Sequence, residues 1–125
     1  MKVIVLGAGY ATRLYPLTRD RAKPLLEVGG LPILSRILTR TMELDDLSEI
    51  VVVSNDKFAE QFEAWADGFA SRVPLRILND GSRDESDRLG AVGDIAFALR
   101  HLDLAGEDPW SDLWFYANPI FIKVR

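Results

Sequence analysis

Short apolar runs alternate with segments whose apolar residues recur every three or four positions. Val3-Ile4-Val5-Leu6, Ile50-Val51-Val52-Val53, Leu75 to Leu78 and Leu113 to Tyr116 have the length and β-branched or aromatic content of buried strands. Between them, Ile33, Leu34, Ile37, Leu38 and Met42 share one helical face, which predicts a helix over 32–42. Phe58, Phe62, Trp65 and Phe69 recur at i, i+4, i+7 and i+11, an amphipathic helix with its aromatic stripe in the core and Asn55 or Asp56 placed to cap it. Leu89, Val92, Ala96, Leu99 and Leu102 mark a third helix.

Strand–helix alternation implies parallel strands joined by right-handed crossovers, with helices on both faces of the sheet. The expected fold is therefore α/β, a Rossmann-like three-layer sandwich with a mainly parallel sheet. In such sheets ligands bind beyond the carboxyl ends of the strands. The loops after the first three strands (7–30, 54–56 and 79–88) should meet there, bringing together the Gly7–Gly9 turn, Asn79, Asp80 and Gly90. With 125 residues and 48% hydrophobic content, the chain suits a single domain, 1–125, with a real core.

The loop after the first strand is the most informative segment. Gly7 and Gly9 let the backbone turn sharply and present N–H groups, and Arg13 and Lys23 add cations on either side of a Pro-stiffened stretch. A dinucleotide fingerprint is excluded, because its third glycine position holds Thr12 and Pro16 and Pro24 interrupt a continuous helix. A Walker-type G-x-x-x-x-G-K-[ST] loop is absent as well. What remains is a long ordered loop that suits a polyphosphate. The glycine pair Gly29-Gly30 reads as a turn before the helix.

Charge supports an anionic ligand. The chain carries a net charge of −4, which disfavours broad nucleic-acid binding. Residues 10–30 nevertheless carry Arg13, Arg19, Arg21 and Lys23 against Asp20 and Glu27, a local net of +2. Residues 41–70 carry eight acids against Lys57. There are no cysteines for disulfides or thiolate metal sites, no 18-residue apolar run for a membrane span, and a strand at the very start of the chain. A cytoplasmic protein is expected from these features. His101 reads as a surface residue at a helix end, and Asp94 as structural.

The residues Gly7-Ala8-Gly9-Tyr10-Ala11-Thr12-Arg13-Leu14, Pro16, Thr18, Lys23-Pro24-Leu25-Leu26, Val28-Gly29-Gly30 and Pro32-Ile33-Leu34 resemble the signature of the sugar-phosphate nucleotidyltransferases. The likeness continues more thinly through Asn79-Asp80-Gly81 and Leu89-Gly90-Ala91-Val92-Gly93-Asp94. It implies a nucleotide-binding set of Leu6, Gly7, Ala8, Gly9, Thr12, Asn79, Asp80 and Gly90, with the segment 79–90 facing the base. It assigns catalytic contacts to Arg13, on the phosphates, and Lys23, near the reacting groups. The implied chemistry transfers NMP from a nucleoside triphosphate to a sugar 1-phosphate or similar phosphorylated acceptor, releasing pyrophosphate with Mg²⁺ as cofactor.

The resemblance also sets two departures. Where such proteins carry a metal-binding Asp after the fourth strand, this chain has Asn118, so the implied metal ligand is missing. The acceptor-binding half has no counterpart in 125 residues, leaving the fold incomplete on its C-terminal side. A catalytically impaired nucleotide-binding or regulatory module is the alternative reading. Ile120-Phe121-Ile122 adds an apolar strand near a sheet edge, which predicts homo-oligomerisation through the C-terminal strand unless it pairs.

Overall fold

The computed structural model describes residues 1–102, 113–117 and 120–124. Its elements run β1 (Lys2–Leu6), β2 (Glu27–Val28), β3 (Leu31–Pro32), α1 (Ile33–Thr41), β4 (Glu49–Ser54), α2 (Ala59–Gly68), β5 (Leu75–Asn79), α3 (Gly90–His101), β6 (Leu113–Ala117) and β7 (Ile120–Val124). The main sheet has the order β5-β4-β1-β6-β7. The β1–β4, β4–β5 and β1–β6 pairs are parallel, and only β7 is antiparallel, against β6. β2 and β3 form a small hairpin whose turn is Gly29-Gly30.

The continuous apolar strands are explained by burial on both faces. Val3, Val5, Ile50 and Val52 join one core cluster with Leu34 and Leu38 of α1 and Phe62 of α2. Their neighbours Ile4, Val51 and Val53 point the other way and pack with Ala98 of α3 and Leu102. Two-residue alternation thus divides each strand between two helical layers, α1 and α2 on one face and α3 on the other. The expected three-layer sandwich is what forms.

The aromatic stripe lies where its spacing placed it. Phe58 and Phe62 are buried, while Trp65 and Phe69 stack at 5.0 Å between ring centroids and pack on the rim of the same core. Trp65 Nε1 donates to Ser35 Oγ of α1 at 2.8 Å, which gives its polar edge a partner. The N-cap position is Phe58, without a side-chain cap, and Asn55 instead closes the turn just before the helix, its Oδ1 accepting the Phe58 N–H at 2.9 Å.

α3 forms as expected, but only some of the residues that mark it are buried. Val92 is 81% exposed and Leu89 is also exposed, whereas Asp94, Ala98 and Leu102 face inward. The helix is apolar around much of its girth, so spacing alone leaves its rotation open. Ala98, small enough to sit directly on β1 and β4, selects the inward side. His101 is exposed at the helix end as expected, with Nδ1 2.8 Å from the Phe97 carbonyl.

Candidate functional site

Gly7 is where the strand ends and the site begins. Its N–H donates to the Val53 carbonyl at 2.8 Å, which extends the sheet ladder by one residue. A Cβ at Gly7 would meet Phe62 Cζ and the Val53 carbonyl oxygen at 3.0 Å each, so the turn leaves β1 through a gap that only glycine fits. Gly9 differs, since a Cβ there would meet nothing within 4 Å. The fold makes no steric demand at Gly9.

The loop that follows is held by side chains from elsewhere. Asn55 Nδ2 donates to the Ala8 carbonyl at 2.9 Å, and the buried Thr18 Oγ1 donates to the Ala11 carbonyl at 2.8 Å. Ala11 itself takes a left-handed conformation, φ 49° and ψ 41°, unusual for a residue with a Cβ. Gln61 of α2 grips the loop at two points. Its Oε1 accepts the Ala22 N–H at 3.2 Å and its Nε2 donates to the Asp20 carbonyl at 2.7 Å. A 3₁₀ turn, Lys23–Leu25, follows immediately and is anchored by buried Leu25. These contacts explain why a stretch of some twenty residues with little regular structure is ordered.

A pocket of about 470 Å³ opens beside this loop. Leu6 to Gly9 and Ala11 form one side, Lys23 and Pro24 close a second, and Arg88, Gly90, Ala91 and Asp94 supply the third. It lies beyond the carboxyl end of β1, where β4 flanks one side of the strand and β6 the other. Gly90 opens α3 at φ +75°, a conformation that L side chains rarely adopt. The N-terminal end of this twelve-residue helix therefore borders the pocket, adding its dipole to the Lys23 charge. Lys23 is half-buried, and its ammonium makes no hydrogen bond or ion pair among the described residues.

Six of the residues singled out from the sequence line this pocket: Leu6, Gly7, Ala8, Gly9, Lys23 and Gly90. Thr12 and Arg13 lie just past it in a second 3₁₀ turn, Thr12–Leu14, where Arg13 is exposed and unpaired among the described residues. Asn79, the last residue of β5, is engaged by the loop after β4 and by its own turn. Its Nδ2 donates to Asp56 Oδ1 at 2.8 Å and its Oδ1 accepts the Gly81 N–H at 2.9 Å. Asp80 sits behind the pocket wall, against Asp94. Asn118 lies outside the described residues.

Arg88 and Asp94 are the pocket residues that sequence reasoning missed. Arg88 belongs to a polar loop, where it pairs with Glu85 at 3.2 Å. Asp94 is only 6% exposed. Burial first, and then the facing Asp80 carboxyl, push its pKa up to about 7. Burial also raises the Tyr10 phenol, opposed by its hydrogen bond with Ser82 and reinforced by the charges of Asp87, Asp80 and Asp84. Among the described residues no three His, Cys, Asp or Glu side chains gather into a metal cluster.

Comparison with known proteins shows the family. The family model described as nucleotidyl transferase matches residues 2–107. The bifunctional protein GlmU of Methanocaldococcus jannaschii is 38% identical over 98% of this chain and 30% of its own length. The GlmU protein of Methanococcus aeolicus is 34% identical over 78% of this chain and 25% of its own. This chain thus spans between a quarter and a third of these relatives. Among solved structures, the CTP:phosphocholine cytidylyltransferase LicC of Streptococcus pneumoniae superposes with TM-score 0.64 at 18% identity, over 91% of this chain and 42% of its own. A UDP-glucose pyrophosphorylase of Acinetobacter baumanii gives TM-score 0.66 at 14% identity, over 91% and 44%. Those two likenesses support the fold. With the family model spanning most of its length, the chain belongs to the nucleotidyl transferase family.

Proposed function

We propose that this chain is the nucleotide-binding part of a cytoplasmic sugar-phosphate nucleotidyltransferase and that its pocket holds a nucleoside triphosphate. The observation that carries the reading is the junction itself. One cleft joins the Gly7–Gly9 turn, the unpaired Lys23 ammonium and the N-terminal end of α3. Each supplies positive potential or N–H donors to an anion, and no described carboxylate neutralises Lys23. The open space at Gly9, which the fold does not require, fits close approach of a ligand to the backbone.

The reaction asks for alignment and charge neutralisation more than for covalent chemistry by the protein. A phosphate oxygen of the acceptor attacks the α-phosphorus of the triphosphate. The bond from that phosphorus to the oxygen bridging it to the β-phosphorus breaks, and pyrophosphate leaves with the electron pair. In this assignment the backbone of Leu6 to Gly9 and Thr12 cradles the triphosphate. Lys23 neutralises charge at the reacting phosphates, and Arg13, reaching in from its exposed turn, engages phosphate oxygens with its two-pronged guanidinium. Gly90 and the loop from Asn79 and Asp80 border the base. A divalent cation supplies further charge neutralisation on the phosphates when bound.

Sugar 1-phosphates are the proposed acceptors. Relatives include a UTP–glucose-1-phosphate uridylyltransferase of Haloferax volcanii, 42% identical over 46% of this chain, and a probable mannose-1-phosphate guanylyltransferase of rice, 29% identical over 88%. No observation on the described residues favours a module without turnover. The test is pyrophosphate release with Mg²⁺, each of the four nucleoside triphosphates and a panel of sugar 1-phosphates. Release that is abolished by Lys23→Ala supports the proposal. Release unaffected by that change, or a folded chain that binds none of the four triphosphates, overturns it.

A further inference from the structure

A single chain of polar side chains ties two walls of the pocket together. Tyr10, between Gly9 and Ala11 of the glycine turn, is buried, and its hydroxyl meets Ser82 Oγ at 3.2 Å. Ser82 Oγ donates to Asp80 Oδ1 at 2.7 Å, and Ser82 N donates to the same oxygen at 2.8 Å. The serine proton is committed to Asp80, so the Tyr10 phenol is the donor across the first link. Asp80 in turn lies within hydrogen-bonding reach of Asp94, on the second turn of α3. Each carboxyl keeps one buried oxygen, Asp80 Oδ2 and Asp94 Oδ1, without a donor among the described residues. Two ionised carboxylates cannot bond each other, and buried side by side they repel. One proton held between them satisfies both oxygens at once.

The surroundings favour keeping that proton. Lys23 and Arg88 line the same pocket, yet no cation among the described residues bonds either carboxyl, and Arg88 pairs with Glu85. The loop after β5 adds Asp84 and Asp87, whose charges reach Tyr10. Asp56, after β4, accepts from Asn79 instead. β1 and β4, on which α3 packs, bear charge only at the far end of the sheet, where Lys2 and Glu49 are joined by Arg76 of β5. Arg100 and His101 close the opposite end of α3. Near the pair, acids therefore outweigh cations.

We propose that Asp80 and Asp94 share one proton and act as positioning residues, a latch that holds the first turns of α3 and the glycine turn at the spacing a nucleoside triphosphate needs. The inference rests on the nucleotide reading for its ligand, whereas the latch itself stands on the carboxyl pair. Loss of the proton sets two like charges against each other, which loosens α3 from the loop after β5. It also adds negative charge to a wall that Asp94 lines, where the ligand is an anion. Both effects weaken binding. Burial and the facing Asp80 carboxyl raise Asp94 from its ordinary 3.8 to about 7, which places the loss near neutral pH. A carboxyl raised in the folded state contributes stability that is full below its ordinary pKa and is lost as pH rises to the folded value.

The test follows melting temperature and triphosphate affinity from about pH 5.5 to about pH 8.5 in the parent chain, Asp94→Asn and Asp94→Ala. The amide of Asp94→Asn supplies a permanent N–H in place of the shared proton. As pH rises through about 7, the parent is expected to lose melting temperature relative to Asp94→Asn. It should also lose about fivefold or more in relative affinity for the tightest binder among ATP, GTP, CTP and UTP. The ratio to the variant is the readout, because the terminal phosphate of the ligand titrates in the same range. Asp94→Ala, with no donor, should bind weakly at both ends of the range, whereas Asp84→Asn on the exposed loop keeps the parent's profile. Asp80→Asn makes the same exchange from the other side and decides the matter if Asp94→Asn does not fold. Parent and Asp94→Asn melting in step across the range overturns the shared proton. A shifting melt with a constant affinity ratio overturns the positioning role. If none of the four triphosphates binds, the nucleotide reading falls and the positioning role with it, while the melts still show whether the carboxyls share a proton.

Discussion

Asn55 Nδ2 donates to the Ala8 carbonyl at 2.9 Å while its Oδ1 accepts the Phe58 N–H at the same distance. One fully buried amide therefore ties the glycine turn to the start of the α2 segment. Both partners are backbone groups that would otherwise be buried without a bond. Asn55→Leu is expected to cost about 2–4 kcal/mol of stability, from two lost hydrogen bonds and two groups left unsatisfied. Urea unfolding measures it. Nucleotide affinity should fall too, because the loop loses its fixed end.

Gly7 and Gly9 separate the demands of the fold from those of a ligand. Gly7→Ala places a methyl at 3.0 Å from Phe62 Cζ and the Val53 oxygen and is expected to cost about 1–3 kcal/mol. Gly9→Ala meets no protein atom, so stability should stay within about 0.5 kcal/mol. If the backbone at Gly9 approaches a phosphate, that same variant loses nucleotide affinity. Thermal melts with and without triphosphate distinguish the two effects.

Gln61 acts on the site from a distance. It holds Ala22 and Asp20 immediately before the Lys23 turn, through bonds of 3.2 and 2.7 Å. Gln61→Ala should weaken nucleotide binding about tenfold although the Lys23 side chain is retained, since misplacing a charged group costs affinity without removing it. Calorimetric titration checks this. An unchanged affinity would show that the 3₁₀ turn holds its position through Leu25 alone.

A pH effect is expected at the opposite end of the sheet. Glu49 accepts from Lys2 at 2.9 Å and Arg76 at 2.6 Å, an ion triad across β1, β4 and β5. Burial alone would raise its carboxyl pKa, but the hydrogen bonds and charges of Lys2 and Arg76 outweigh it and hold the pKa below the usual value of 4.5. A carboxylate with a depressed folded-state pKa contributes stability above its unfolded pKa. That contribution disappears as pH falls through the folded value. Glu49→Gln should therefore be less stable than the parent at pH 7 and close to it near pH 2, as measured by denaturant unfolding at both values.

Much of the fold was legible because its signals are redundant. Ile50 to Val53 are β-branched and wholly apolar, and Phe58 and Phe62 follow at helical spacing, so hydrophobic burial and local preference agree. The glycine turn was legible because Gly7 meets a backbone constraint that the sequence states directly. The rotation of α3 was not, since Leu89 and Val92 are as apolar as the residues it buries and Ala98 wins only through its fit against β1 and β4. Asp94 was hidden for a related reason. A single acid on an apolar helix becomes part of a pocket only when the end of β5 delivers Asp80 to it. Nothing near it in sequence announces that meeting. Arg88 stood in a run of charged residues whose composition resembles any solvated loop.

The central claim is that the cleft between the glycine turn, Lys23 and α3 binds a nucleoside triphosphate. Calorimetric titration with ATP, GTP, CTP and UTP, of the parent chain and of Lys23→Ala and Arg13→Ala, tests it most directly. The account predicts saturable binding of at least one triphosphate, weakened about tenfold or more in each variant at unchanged melting temperature, because neither side chain has a partner in the fold. A folded chain that binds none of the four, or binds one with the same affinity in both variants, would contradict it.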